Sequence, residues 1–376
     1  MFGGGYVKFD SLIREVLKEF KGYTSEIHTV KLTEELGVSE ERILKLDGNE
    51  NLFIDQSWIK SLLKKAVEDA YVSLYTDTAC SDLRETIAKF YGLKSTEVVV
   101  GGGADGVIDN IVKLFIDARS EGIVIEPTYS VYKLLIRTMG GYYKPILLDQ
   151  EFNLNPEDVL SNISEETKII FLCSPNNPTG NQFPLDNILH IIEESGRIVV
   201  IDEAYSDFGK YSILKLIRKY PNLIIVRTFS KAFGLASLRI GYALTNEELA
   251  NLMLQVAFPY PVNIIGQKLI PYIFRNIDVV LDAVKKIREH RETLYQRLQE
   301  IKGIKPYMSD ANFILFRIIK EGLNAKKVHR RLLDRGIIVR DRSSLPLLDN
   351  CLRVTVPPKD KMEVFLSALE DSLNLH

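Results

Sequence analysis

The chain has 376 residues, of which 46% are hydrophobic and 26% charged, and its formal net charge is −2. Because one hydrophobic core rarely organises so long a chain, we expect two domains. The near-neutral charge argues against nucleic acids and membrane surfaces as partners, since both favour basic proteins. No apolar run approaches the roughly 20 residues of a membrane span, the first ten residues lack a signal peptide's apolar stretch, and the three cysteines have no metal-ligand spacing. We therefore expect a soluble cytoplasmic protein without a metal ion.

Helices and short strands alternate along most of the chain. Apolar periodicity predicts amphipathic helices at Leu12–Lys21 and Val30–Leu36. From about residue 58 onward, bounded β-branched runs predict six strands, at Glu97–Val100, Gly122–Ile125, Lys168–Leu172, Arg197–Ile201, Leu223–Thr228 and Arg239–Leu244. Helical patterns lie between several of them, among them Gly106–Phe115 and Leu185–Glu194. This series predicts an α/β domain with a mostly parallel sheet flanked by helices.

The character of the sequence changes after Pro259–Pro261. A long charged helix is predicted at Ile277–Ile301, followed by strands at Ala311–Ile318 and Cys351–Val356 and by a helix at Ala325–Asp334. We interpret this part as a smaller α+β domain. The predicted organisation is an N-terminal segment that packs with the small domain (residues 1–50), a large domain (51–262) and a small domain that includes an interdomain helix (263–376).

Polar residues of defined chemistry follow three of the predicted strands. Ligands of open α/β sheets bind just beyond the carboxyl ends of the strands, so these positions are candidates for a site. The residues at the ends of the third, fourth and fifth strands are Ser174–Gly180, Asp202–Tyr205, and Thr228, Ser230 and Lys231. They offer amides, an acid, a phenol, hydroxyls and an amine.

Lys231 and its neighbours each have two explanations. Desolvation lowers the pKa of a lysine, and a neutral amine forms Schiff bases with aldehydes, but Lys231 taken alone is better explained as a solvated loop residue. Asp202 could cap a helix or hold a proton on a pyridinium nitrogen, and Arg239 could form an ordinary ion pair or bind a phosphate group. Found together at adjacent strand ends, these groups favour a site for pyridoxal phosphate (PLP).

The glycine-rich loop Gly101–Gly106 also has two explanations. It fits the pattern G-x-G-x-x-G between a strand and a helix, with Glu126 twenty residues further on, as in nicotinamide-dinucleotide sites. Alternatively, the backbone amides at the start of the helix hold a single phosphate group. We favour the single phosphate, because Lys231 and Arg239 would have no role in hydride transfer. Binding of PLP but not of a nicotinamide cofactor to the apo-protein would test this choice.

Several motifs resemble those of the fold-type I PLP aminotransferases, and in particular of their histidinol-phosphate aminotransferase branch. The most specific is RTFSKAFGLASLRIG at Arg227–Gly241, supported by SPNNPTG at Ser174–Gly180 and DEAYSDF at Asp202–Phe208. Further matches are Gly48–Asn51, Leu74–Asp77, Pro127–Tyr129, Asp310–Phe313, Gly336–Arg340 and Cys351–Val356. The resemblance covers the chain from about residue 45. It implies an aspartate-aminotransferase-like fold, PLP as the cofactor, and a homodimer with shared active sites.

The resemblance also implies roles for individual residues. Lys231 is similar to the lysine that forms the Schiff base, and Asp202 to the partner of the pyridinium nitrogen. The other implied cofactor ligands are Asn177 and Tyr205 at the ring oxygen, Tyr129 on the ring face, Thr228, Ser230, Arg239 and the amides of Ala104 and Asp105 at the phosphate, and Tyr75 reaching the phosphate from the partner subunit. The implied substrate ligands are Arg353 as a carboxylate clamp, Arg340 as a second anion contact, and Asn51.

Departures from the family pattern lie near the expected substrate entrance. Leu52 replaces a usual proline after Asn51, Thr76 replaces the proline of Tyr-Pro-Asp, and Gly106 replaces an acidic residue. The cofactor residues are intact. The resemblance implies transamination of histidinol phosphate with 2-oxoglutarate, giving imidazole-acetol phosphate and glutamate. The alternatives are transamination of aromatic amino acids, decarboxylation of threonine phosphate and, from another class, a nicotinamide-dependent dehydrogenase.

Overall fold

The computed structural model describes residues 12–18 and 29–374 of the chain. The strands, in chain order, are β1 (Leu44–Lys45), β2 (Val98–Gly102), β3 (Glu121–Glu126), β4 (Tyr142–Leu147), β5 (Thr167–Cys173), β6 (Ile198–Asp202), β7 (Leu223–Thr228), β8 (Ile240–Leu244), β9 (Ile304–Pro306), β10 (Phe313–Ile318), β11 (Ile337–Ile338), β12 (Arg340–Asp341) and β13 (Cys351–Thr355). The α-helices are α1 (Glu15–Lys18), α2 (Thr29–Leu36), α3 (Gln56–Glu68), α4 (Ser81–Tyr91), α5 (Gly103–Phe115), α6 (Val131–Thr138), α7 (Pro156–Leu160), α8 (Leu185–Glu194), α9 (Glu247–Val256), α10 (Ile264–Arg275), α11 (Ile277–Glu300), α12 (Ala325–Leu333) and α13 (Lys359–Asn374).

Seven strands form the larger sheet, in the order β2-β8-β7-β6-β5-β3-β4. The five strands from β7 to β4 run parallel, whereas β8 is antiparallel to both of its neighbours. Parallel neighbours need crossover connections: α6 lies between β3 and β4, and α8 between β5 and β6, whereas α7 lies on the longer return from β4 past β3 to β5. This order places the carboxyl ends of β5, β6 and β7 side by side at one edge of the sheet.

Both faces of the larger sheet are buried, which explains its apolar strands. In β5, Ile170 and Leu172 pack into a core cluster that includes residues of α3, α4, α8 and α10. The alternate residues Ile169 and Phe171 pack into a second cluster, with residues of α5, α6 and α9. Since successive side chains of a strand point to opposite faces, burial on both faces requires the continuous apolar run that the sequence contains.

The smaller sheet has four antiparallel strands in the order β12-β13-β10-β9, with α11 and α12 packed on it. The N-terminal segment joins this part of the molecule, because β1 pairs in parallel with β11 and Thr355 N donates a hydrogen bond to Leu46 O (2.8 Å). Helix α10 instead packs against α3 and α4 beside the larger sheet. The predicted domain boundaries at residues 50 and 262 stay a prediction.

The predicted α/β architecture is confirmed, and each of the six predicted strands is present. The predicted helix Leu12–Lys21 is represented by α1, and its residues from 19 onward lie outside the described part of the chain. Strand β4 was not predicted, because Pro145 interrupts its apolar pattern; β4 lies at the edge of the sheet, where a residue without an N–H is tolerated. Among the described residues, no helix is long and apolar enough to cross a membrane.

Candidate active site

A cavity of about 240 Å³ lies at the carboxyl ends of β5, β6 and β7. Its walls come from residues that follow these three strands, from the start of α5, from residues 48–50, and from Arg342 and Arg353 beside the smaller sheet. The parallel order of the strands brings these distant parts of the sequence together, as expected for the ligand site of an α/β sheet.

Lys231 lies in the loop after β7 and is half-buried. Its Nζ donates a hydrogen bond to Gly48 O at 2.9 Å and lies 5.8 Å from the centre of the Tyr205 ring. The loop is held from both sides, since Phe229 N donates to Ile240 O (3.0 Å) and Gly234 N donates to Lys231 O (3.1 Å). The amine therefore has a defined position at the cavity wall, as a nucleophile or base requires.

Asp202 ends β6 and is only 3% exposed. Its Oδ2 accepts a hydrogen bond from Tyr132 Oη (2.6 Å), and its Oδ1 accepts one from Ala204 N (2.9 Å). Burial raises the pKa of this carboxyl to about 6, although both hydrogen bonds act to lower it. Within the described part of the chain no salt bridge to Asp202 is formed. A buried carboxylate of this kind fits the protonated ring nitrogen of PLP, which supplies the missing positive charge.

The start of α5 forms the anion-binding end of the cavity. Ala104 and Asp105 lie in its first turn, where backbone amides have no partners within the helix. Gly103 has a φ of 79°, and a Cβ there would lie 2.7 Å from Arg239 Nη2, so glycine allows the helix start and the arginine to approach each other. Thr228 and Ser230 line the same end, and their hydroxyls are hydrogen-bonded at 3.0 Å. These donors fit a phosphate group.

Asp105 orients two of the predicted cofactor ligands. Its Oδ2 lies 2.6 Å from Arg239 Nη2, and its Oδ1 accepts a hydrogen bond from Tyr129 Oη at 2.9 Å. The Tyr129 ring also contacts the edge of the Tyr132 ring, with centroids 5.7 Å apart. The aromatic wall, the guanidinium and the helix start are therefore connected by direct contacts.

Arg353 enters the cavity from β13 and is buried beside Phe313. Its Nη1 donates to Asn177 Oδ1 at 2.5 Å, and its Nη2 donates to Asp47 O. A buried guanidinium forms charge-assisted hydrogen bonds with carboxylate and phosphate oxygens, so Arg353 suits an anionic ligand. Arg340, its cross-strand neighbour on β12, lies outside the cavity lining.

Most of the residues predicted from the sequence come together in this cavity: Ala104, Asp105, Tyr129, Asn177, Asp202, Tyr205, Thr228, Ser230, Lys231, Arg239 and Arg353. Asn51 does not line it, because its Nδ2 donates to Ala232 O (2.7 Å) and its Oδ1 accepts from Phe53 N (2.9 Å). Tyr75 is 86% exposed and stacks on Tyr260, away from the cavity of its own chain. The individual roles stay predictions.

Among the lining or supporting residues that were not predicted, Asn49, Tyr132 and Arg342 bring polar side chains. Asn49 belongs to a recognised motif, but the sequence of a turn does not tell which of Asn49 and Asn51 faces the cavity. Tyr132 lies in the first turn of α6, three residues after Tyr129, which precedes the helix, and this short separation could have identified it. Arg342 follows Arg340 by two residues, a spacing that places both on one face of an extended segment; strand β12 ends at Asp341, so this spacing could not have shown that Arg342 alone of the two lines the cavity.

Known proteins resemble this chain over nearly its full length. The sequence pattern of the family described as "Aminotransferase class I and II" matches residues 41–369. The histidinol-phosphate aminotransferase of Methanosphaera stadtmanae is 35% identical over 361 residues, which are 95% of this chain and 98% of that protein.

Solved structures share the fold. The histidinol-phosphate aminotransferase of Sinorhizobium meliloti, in complex with pyridoxal-5'-phosphate, superposes with a TM-score of 0.86 at 23% identity, covering 96% of this chain and 98% of that one. The L-threonine-O-3-phosphate decarboxylase of Porphyromonas gingivalis has a TM-score of 0.78 at 20% identity, covering 89% of this chain and 100% of that one. At such identities the likeness concerns the fold alone.

The family pattern extends from the segment before β1 into the last helix, so it includes every element that surrounds the cavity. The cavity itself provides a positioned lysine, a buried carboxyl with a raised pKa and an anion-binding end, which together fit PLP. The chain therefore belongs to the class I and II aminotransferase family, in its histidinol-phosphate aminotransferase branch, and is a PLP-dependent aminotransferase.

Proposed function

We propose that this enzyme transfers the amino group of histidinol phosphate to 2-oxoglutarate, giving imidazole-acetol phosphate and glutamate. The observation that carries the proposal is the pair of arginines, Arg342 and Arg353, that lines the cavity in addition to Arg239. Lining cations outnumber lining carboxylates, with Lys231, Arg239, Arg342 and Arg353 against Glu50, Asp105 and Asp202. Such a cavity favours a substrate that brings an anion in addition to the phosphate of PLP.

Histidinol phosphate and 2-oxoglutarate both meet this requirement. Histidinol phosphate has no carboxylate, so its phosphate group takes the place at Arg353 that a carboxylate of 2-oxoglutarate occupies in the second half of the reaction. The planar guanidinium suits both anions because its N–H groups pair with two oxygens at once. One buried arginine therefore serves two substrates in turn.

The side chains of the cavity have different roles in the reaction. When bound, PLP accepts the electron pair that remains as the Cα proton leaves. Asp202 holds a proton on the ring nitrogen, which keeps the ring electron-poor. Lys231 removes the Cα proton with its amine and holds it for return, because its Nζ is fixed at the cavity wall by Gly48 O (2.9 Å).

A panel of amino donors tests the substrate. With 2-oxoglutarate present, glutamate formation is measured with histidinol phosphate, histidinol, phenylalanine and threonine phosphate. We expect kcat/KM for histidinol phosphate to exceed that for histidinol by about 100-fold or more, since histidinol lacks the charge-assisted contacts of the phosphate.

Two outcomes of the panel would reject the proposal in favour of its rivals. A higher kcat/KM with phenylalanine would indicate an aromatic aminotransferase. Release of carbon dioxide from threonine phosphate without any keto acid would indicate a decarboxylase, the activity named for the fold neighbour from Porphyromonas gingivalis.

We also propose that two copies of the chain form a homodimer. The segment between α3 and α4 exposes four large apolar or aromatic side chains, at Tyr71, Val72, Leu74 and Tyr75. The Tyr75 ring stacks on Tyr260 with centroids 4.7 Å apart, next to the exposed Phe258. Contiguous exposed apolar surface of this kind marks an interaction site, and a second copy of the chain would cover it.

A further inference from the structure

The turn Asp47–Asn49 contacts three side chains of the active site. The carbonyl of its first residue accepts a hydrogen bond from Arg353 Nη2, and that of its second accepts one from Lys231 Nζ (2.9 Å). The side-chain amide of its third residue donates to Tyr205 Oη at 3.0 Å. One short turn thus reaches the predicted anion clamp, the amine and the phenol.

Asn49 is fixed within this turn by its own backbone. The residue is 1% exposed and has a φ of 54°, in the left-handed region that asparagine tolerates better than most residues. Its N–H donates to Thr355 Oγ1 at 3.0 Å, and its carbonyl accepts from Asn312 Nδ2 at 2.9 Å. Thr355 belongs to β13 and Asn312 directly precedes β10, so two residues of the smaller sheet and its margin fix the backbone of Asn49 and thereby the direction of its side chain.

The contact with Asn49 decides what the Tyr205 hydroxyl can do. A phenol has one proton to donate, and here its oxygen already accepts the Asn49 Nδ2–H. Within the described part of the chain, the bond from Asn49 Nδ2 is the one hydrogen bond formed by this hydroxyl. Burial raises the pKa of Tyr205, so the hydroxyl keeps its proton. The proton therefore points to a ligand in the cavity, which Tyr205 lines.

We propose that Asn49 is a positioning residue that aims the Tyr205 proton at the ring oxygen of bound PLP. Asn49 acts through Tyr205. A hydrogen bond to the ring oxygen stabilises the anionic form of that oxygen. The stabilisation is largest after the imine between PLP and Lys231 has lost its proton, because the positive charge beside the oxygen is then gone. Asn49 thereby lowers the pH at which the bound cofactor titrates. This inference depends on PLP binding but not on the identity of the amino donor.

Substitution of Asn49 tests the inference through the colour of the bound cofactor. Asn49→Gly removes the side-chain amide but keeps both backbone hydrogen bonds, because glycine adopts positive φ freely. We expect the pH midpoint of the absorbance change of the holoenzyme to rise by about 0.7 pH unit, the equivalent of one hydrogen bond. Asn49→Asp, an isosteric change, replaces the donor with an acceptor that competes for the Tyr205 proton. Its midpoint should rise at least as far.

A double-mutant cycle separates positioning from a general structural role. In a Tyr205→Phe background the hydroxyl is absent, so Asn49→Gly should shift the midpoint by less than about 0.2 pH unit further. An equal shift in both backgrounds would overturn the inference, as would an unchanged midpoint in both single variants at Asn49. A failure of the histidinol phosphate assignment would alter the donor panel and leave these midpoints as they are.

Discussion

Asp202 has a raised pKa in the apo-protein, and the reason is its burial. Its pKa is about 6, compared with an ordinary value of 3.8, and desolvation is the largest cause of this increase. Because the folded-state pKa is the higher one, folding favours the neutral carboxyl. The contribution of this group to stability is therefore fully present below about pH 4 and is lost as the pH rises through about 6. A protonated ring nitrogen beside the carboxylate reverses this effect, so bound PLP should stabilise the protein more at pH 8 than at pH 5.

Substitution of Asp202 should stabilise the apo-protein and damage the enzyme. We expect Asp202→Asn to raise the apo-protein's free energy of unfolding at pH 8 by about 1 to 3 kcal/mol, since asparagine carries no charge to desolvate. At pH 4 the two proteins should be equally stable, and turnover should fall by about 100-fold or more. Denaturant unfolding at both pH values measures the effect. The matched control is Asp186→Asn, at an exposed carboxylate of α8. An identical pH dependence for Asp202→Asn and its parent would contradict the prediction.

At the scale of elements, the sequence predicted those helices and strands whose apolar residues recur with a regular period. Strands β5, β6 and β7 were identified because burial on both faces demands an unbroken apolar run, and the residues after them were then grouped correctly in one cavity. The turn at Asn49 has no such period: its positive φ and its contacts with Thr355 and Asn312 set the side-chain direction, and these partners lie some 260 to 310 residues away in the sequence. Strand β4 was not predicted because a proline in the sequence argues against a strand, whereas the edge of the sheet, where β4 lies, tolerates one.

The junction of β8 and α5 gives a prediction at the element scale. A Cβ on Gly241 would overlap the backbone of Gly103 and Ala104, where no flexible side chain can yield. Gly241→Ala should therefore lower the free energy of unfolding by about 1 to 3 kcal/mol and push the amides of the helix start away from the cofactor phosphate. We expect the Kd for PLP to rise by about 10-fold or more, measured by equilibrium dialysis.

Gly106→Ala is the matched control for that experiment. Gly106 lies one turn into the same helix, and its added Cβ would meet only Gly101 C at 3.7 Å, an ordinary contact. Alanine favours the helix by about 1 kcal/mol over glycine, so this variant should be as stable as its parent or more stable, with an unchanged Kd for PLP. Equal losses in both variants would show that the close approach at Gly241 is not the cause.

At the scale of the whole molecule, the cavity described in one chain contains every predicted cofactor ligand except Tyr75. That residue lies on the exposed segment between α3 and α4, and its ring is held by Tyr260 rather than by anything in the cavity. In the proposed homodimer, this residue would act at the phosphate of a neighbouring copy. Two-fold symmetry would then give each of two sites a Tyr75 from the other chain. This geometry makes the dimer testable by activity as well as by mass.

Mixing two inactive variants tests whether the sites are shared. Lys231→Ala removes the amine and Tyr75→Ala removes the hydroxyl and ring, so each homodimer carries one defect at both of its sites. In a hybrid dimer one site receives its lysine from one chain and its tyrosine from the other, and is intact. After exchange of subunits at equal concentrations, about one quarter of all sites should regain parental kcat, by statistical pairing. Light scattering measures the mass of each species. Activity no greater than the mean of the two separate variants, in dimers that have exchanged, would show that Tyr75 does not cross to the partner's site.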